Sequence, residues 1–191
     1  MIEMNGVYRG VSLAETLGCS PESAKPEDVL RLSKRRVMQA FRAAECPAFG
    51  ELKGEYHGQN HPAGFTSVFA GLYLNHFFGP GRWTGKAFFP FEATRGWGYN
   101  LFAQSHAVGQ SRIIRAVKIA TSIGASIFDG KSSFVLDYGA HNRGVLSHVR
   151  DELRKINNEL FIGVGHLDAR GGTLFPSPFI IFGAPEEWVG C

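Results

Sequence analysis

Charged side chains are scarce in this 191-residue sequence: Asp, Glu, Lys and Arg make up 19% of it, and 20 Lys and Arg against 17 Asp and Glu leave a formal net charge of +3. So small and balanced a charge argues against a nucleic-acid partner, which needs Lys and Arg gathered on one face. Residues 1–50 hold seven Lys and Arg against six Asp and Glu, so the run Lys34-Arg35-Arg36 reads as a solvated helix face. Cysteine is scarce as well. Cys19, Cys46 and Cys191 form no C-x-x-C pair, which excludes a disulfide framework or a thiolate zinc site and favours a reducing, cytoplasmic setting. No long apolar run occurs: the most apolar stretch, 64–78, has 15 residues and contains Thr66, Ser67, Asn75 and His76. A membrane-spanning helix needs about 20 apolar residues, so no membrane span is expected. The first 18 residues carry Glu3, Arg9 and Glu15 and lack the apolar centre of a signal peptide. Serine-hydrolase elbow, phosphate loop and H-E-x-x-H are all missing, and Gly163-Val164-Gly165 is followed by His166-Leu167-Asp168 rather than by the third glycine of a dinucleotide fingerprint.

What the sequence does contain is glycine and phenylalanine, 24 and 16 residues, within a hydrophobic fraction of 44%. That fraction excludes intrinsic disorder, and the length suits one domain over 1–191. A helical region, 1–49, comes first. Ser12-Leu13-Ala14-Glu15 fits a capping box, Gly18 suits the end of that short helix, and Pro26 with Glu27 and Asp28 suits the start of a longer one over 26–44. From residue 50 onward short apolar runs alternate with Gly, Pro, Asn and Asp, the pattern of an antiparallel sheet. The strands expected are 51–57, 66–78, 84–91, 98–104, 112–121, 125–128, 132–138, 160–166 and 173–182, with Asp129-Gly130 as a two-residue hairpin turn. Val145, Val149, Leu153 and Ile156 recur at helical spacing, so one late helix is expected over 144–157. Together these predict a mainly β, α+β protein: an antiparallel barrel with N-terminal helices and one late helix.

Three segments then carry a resemblance. Gly50-Glu51-Leu52-Lys53-Gly54 opens the β region, Gly81-Arg82-Trp83-Thr84-Gly85-Lys86-Ala87-Phe88 follows, and Val135-Leu136-Asp137-Tyr138 precedes the last strands. With a short helical front and a meander of about eight strands, they resemble the lipocalin-like (calycin) barrels, nearest to bacterial families with a G-x-W-x-G signature. Leu52 stands where that signature has Trp. The resemblance spans about residues 50–183 and implies a cup-shaped barrel holding a hydrophobic small molecule, such as a fatty acid, terpenoid or polyketide. It implies no particular chemistry.

Residues 56–81 and 96–111 contain no Asp, Glu, Lys or Arg, yet they hold His57, His61, His76 and His106. Each histidine alone reads as a core or loop residue. Their clustering in charge-free sequence suggests neutral imidazoles lining an apolar cavity, able to exchange protons near neutral pH. These four are therefore the candidate acid and base residues of an alternative reading: a cofactor-free isomerase, hydratase, lyase or cyclase. Tyr56, Tyr73, Trp83 and Trp97 are candidate ligand contacts, as are Asp137 and His166. Asp137 could orient His141 or, as favoured here, pair with Arg143 at the start of the late helix. No cofactor is required; a haem or a metal ion on the same histidines is a weaker alternative. Consecutive aromatics such as Phe77-Phe78 and Phe88-Phe89 must point to opposite faces of a strand, which leaves some outside the barrel and suggests a homo-oligomer.

Overall fold

The computed structural model describes residues 11–63, 79–106, 110–169 and 172–191. The front of the chain follows its capping signals. Ser12 and Glu15 form the capping box of α1 (Leu13–Leu17), and Gly18 closes that helix with φ 78°. The expected helix over 26–44 is instead two: α2 (Pro26–Leu30) and α3 (Lys34–Ala43). Ser33 explains the break, because its hydroxyl accepts the Arg36 amide and so caps a new helix.

Among the described residues eight strands follow: β1 (Gly54–Asn60), β2 (Arg82–Pro90), β3 (Arg95–His106), β4 (Gln110–Ala125), β5 (Ser132–Asp137), β6 (Val149–Asn157), β7 (Leu160–Ala169) and β8 (Gly172–Glu186). Each pairs antiparallel with the next, and β1 pairs with β8, so the meander closes into a barrel. Closure gives each of these eight strands a partner on both sides. The expected strand 66–78 falls outside the described residues.

Two sequence expectations are corrected here. The late helix is a short 3-10 turn, Gly144–His148, followed by β6. Val149, Leu153 and Ile156 fit a helical period, but β6 has a partner strand on each side, β5 and β7, and that pairing decides its conformation. The hairpin at Asp129-Gly130 is longer than two residues: the last β4–β5 pair is Ala125 with Ser132, and the Gly130 amide, at φ 72°, bonds back to the Ser126 carbonyl.

Strand alternation sorts the side chains into two packed layers. Inside the barrel, Tyr56, Phe88, Phe134, Leu153 and Phe161 are all buried. They fill the lower end, where β1, β3, β5 and β7 begin. Phe49, from the 3-10 turn Phe49–Glu51, stacks on Phe134 at 5.4 Å and closes that end. Outside, Ile156, Leu160, Ile162, Val164 and Ile180 bury against Leu17, Val29, Val37 and Phe41 of the helical front. Arg154, fully buried on this outer face, grips Asp129 with both terminal guanidinium nitrogens (2.8 and 2.6 Å) and the Phe41 carbonyl at 3.2 Å, fastening α3 and the β4–β5 loop to β6. On another part of the wall, Trp188 packs against Trp97, Tyr99 and Phe89.

Candidate functional site

With its lower end filled by aromatics, the barrel carries its polarity in the upper half. Five side chains there converge inside the wall: Trp83 and Lys86 of β2, Asn100 of β3, Tyr138 just beyond β5, and Asp151 of β6. Lys86 is 2% exposed, and its Nζ donates to Asn100 Oδ1 (2.8 Å), the Tyr138 hydroxyl (2.5 Å) and Asp151 Oδ2 (2.8 Å). All three ammonium protons thus have an acceptor. The Tyr138 hydroxyl in turn donates to Asp151 Oδ2 at 2.7 Å, and Trp83 Nε1 donates to Asn100 Oδ1 at 3.0 Å. The ammonium also lies over the rings of Trp83, Tyr138 and Phe179 at 5.2–5.5 Å, where the π faces favour a cation.

Local backbone features make this gathering possible. The β3–β4 register slips between Gly98 and Asn100, and Val117 on the bulged strand adopts φ 58°. That conformation is costly for a β-branched residue, about 1–3 kcal/mol, and it leaves the Val117 carbonyl accepting from Asn100 Nδ2 at 3.4 Å. Glycines on the neighbouring strands supply space. A Cβ at Gly58 would come within 2.5 Å of the Trp83 ring, one at Gly163 within 2.3 Å of Phe179, and one at Gly165 within 2.7 Å of Asp151 Oδ1. Only a residue without a side chain admits these groups.

The electrostatics follow from burial. Loss of water pushes the Lys86 ammonium below the usual lysine range, while the Asp151 carboxylate pulls it back up. Burial, reinforced by the same carboxylate, holds the Tyr138 hydroxyl well above its ordinary value, so it stays a donor. Asp151 Oδ2 takes both the ammonium and the hydroxyl, whereas Oδ1 accepts no hydrogen bond among the described residues. Asp151 and Trp83 are the cluster members with the most remaining exposure, 5% and 9%. Above them, Gly144, Val145, Ser147, His148 and Leu167 line an open depression at the upper rim. Val145 and Phe175 are exposed at that same end, at 52% and 73%.

The sequence-derived candidates fall in different places. His57 projects outward, is exposed, and lies 3.8 Å from Glu186. His61 is buried outside the barrel: Nδ1 accepts the Ala63 amide at 3.0 Å, which leaves Nε2 as the donor to the Val29 carbonyl at 3.1 Å. Both nitrogens are engaged, and burial lowers its basicity. His106 ends β3 with its side chain outside the described residues, and His76 and Tyr73 lie outside them altogether. His57 and His61 thus do not meet inside the barrel. Of the other candidates, Trp83 belongs to the cluster and Tyr56 faces the interior lower down, its hydroxyl donating to the Glu51 carbonyl. Trp97 and His166 point outward, against Trp188 and Phe128 respectively. Asp137 also points outward; it pairs with Arg150 at 2.8 Å, not with Arg143, and accepts the Gly139 amide. Among the described residues no three His, Cys, Asp or Glu side chains gather as metal ligands would.

Lys86, Asn100, Tyr138 and Asp151 escaped the sequence reading for identifiable reasons. Asp151 lies within the helix expected over 144–157, whereas strand alternation places it with Val149 and Leu153. For Lys86 the signal was alternation with Phe88 along β2. Asn100 and Tyr138 carry no local signal beyond their place on a strand face.

No protein-family model matches the sequence, and a search of curated proteins finds no match. The fold is similar to that of a solved structure described as the crystal structure of a protein from Thermomonospora curvata, with TM-score 0.53 and 14% identity over 81% of this chain and 88% of that one. At that identity the likeness concerns the fold alone. No helix among the described residues is long and apolar enough to cross a membrane.

Proposed function

We propose that the upper half of the barrel binds a largely apolar small molecule carrying one polar group, in the manner of a lipocalin-like barrel. The observation behind this reading is the Lys86–Asp151 pair, held with Trp83, Asn100 and Tyr138 in the upper half beneath an apolar rim. Burying such a pair costs several kcal/mol per ion in lost hydration, and well-packed apolar residues usually serve stability as well or better. Ligand sites, by contrast, combine apolar walls with a few convergent polar groups, which is the composition found here. A closed eight-stranded meander with a helical front and one filled end agrees with the lipocalin-like reading.

Titration with the neutral dye Nile red tests it. We expect one dye per chain with enhanced emission, and loss of binding in Leu167→Trp, which fills the rim beside the cluster. Failure of the dye to bind, or equal binding by this variant, would count against the reading.

A further inference from the structure

We infer that Asp151 is a catalytic base that takes a proton from the carbon next to a carbonyl group of the bound molecule. This rests on the binding reading above and adds to it a substrate class, enolisable ketones. Three features carry it. Asp151 Oδ2 is held by Lys86 Nζ at 2.8 Å and by the Tyr138 hydroxyl at 2.7 Å, while Oδ1 has no hydrogen-bond partner among the described residues. The carboxylate is therefore oriented through one oxygen and available through the other, as a positioned base must be. Its surroundings are aromatic and aliphatic, which suits a carbon acid better than a strongly hydrated ion.

Charge balance narrows the chemistry. At rest the Lys86 ammonium and the Asp151 carboxylate neutralise each other. When Oδ1 takes the proton, the C–H bond breaks, an O–H bond forms on Asp151, and the electron pair moves onto the carbonyl oxygen as an enolate. Lys86 would be left as an uncompensated buried cation, unless the new negative charge lies beside it. The reaction that suits this cluster is thus one that moves the negative charge from Asp151 to a substrate oxygen within the field of Lys86, held by fixed protein groups. Return of the proton from Asp151 to a different carbon isomerises the molecule; trading it on the Asp151 carboxyl for a hydron of the solvent before return to the same carbon exchanges the substrate's hydrogen. Neither needs an oxidant or a cofactor. Lys86 and Tyr138 position the base and balance its charge.

Hydrogen exchange reads this directly. The full chain is incubated in D2O with 2-tetralone or 2-decanone; ligand-observed NMR reports binding and loss of the α-proton signal reports exchange. We expect bound ketone to exchange about 10²–10⁴-fold faster than in buffer, a usual contribution of one general base, and Asp151→Asn to bind ketone but lose the acceleration. Because Asp151→Asn leaves Lys86 without its counter-charge, Lys86→Met/Asp151→Asn serves as the second variant, expected to fold and bind without exchange. Nile red binding with no ketone binding, ketone binding without faster exchange, or exchange that survives loss of the carboxylate each overturns the inference and leaves the binding reading standing. Failure of Nile red and both ketones to bind overturns the two together.

Discussion

Lys86 and Asp151 are each expensive to bury alone and tolerable together. Lys86 is 2% exposed and Asp151 5%, and the pair is completed by Tyr138 and Asn100. Removing one partner strands the other charge in a low-dielectric wall, so Lys86→Met should destabilise the fold by about 3–5 kcal/mol. Replacing both, as Lys86→Met/Asp151→Leu, should recover most of that loss. Urea unfolding of the three proteins checks this; equal stability of wild type and Lys86→Met would mean that the pair does not hold the fold. Little of this cluster was legible in the sequence. Its partners lie 14 residues apart for Lys86 and Asn100 and 52 apart for Lys86 and Tyr138, a spacing no local pattern encodes.

Single elements show where local signals suffice. The Ser12–Glu15 box and Gly18 mark α1 correctly because a cap involves only residues within one turn of each other. Residues 149–157 show the opposite. Their apolar side chains fit a helical period, yet two partner strands claim them. As a strand they bury charge on both faces: Asp151 inward, Arg154 outward against Phe41 of α3, and Glu152 outward against the Ile127 amide. A hydropathy pattern cannot distinguish that from a solvated helix face. The glycines of β7 are likewise explained only by their neighbours. Gly163 lies beneath the Phe179 ring of the adjacent strand, so Gly163→Ala should cost about 1–3 kcal/mol through overpacking. Adding Phe179→Leu should return part of it, a coupling that a double-mutant cycle measures. Strict additivity would show that the ring does not depend on the missing side chain.

Over the whole molecule, two buried histidines lie between the barrel and what packs on it. His61 bonds to the Val29 carbonyl of α2, and His166 meets Phe128, whose ring contacts Phe41 of α3. Burial lowers the basicity of both; for His166 the nearby Glu152, Asp151 and Asp168 oppose this and Arg150 adds to it. His141 is also lowered, by burial and Lys118 against Asp137. The unfolded chain then binds more protons than the folded one once the pH falls below the ordinary histidine value of about 6.5. Stability from these groups is full above that pH and is lost as the pH falls toward their lower folded values. The carboxylates held low, Glu15, Glu22, Glu51 and Asp129, lose their contribution only below their own ordinary range near 4, outside this window. Denaturation midpoints should therefore drop between pH 7.5 and 5.5, and the drop should be shallower in His61→Gln/His166→Gln. An unchanged slope in that variant would assign the effect elsewhere.

Few charges, abundant glycine and period-two runs determined a β-rich chain with a helical front, because alternation and caps depend on near neighbours. Which face of each strand became the interior was decided by closure of the barrel. So was the meeting of a lysine, a carboxylate, a tyrosine and an asparagine inside it. Both depend on pairings between segments distant in sequence. The charge-free segments drew attention to histidines, but His57 and His61 lie on β1 and at its end, outside the barrel. The polar centre formed instead where charged residues found buried partners across the wall.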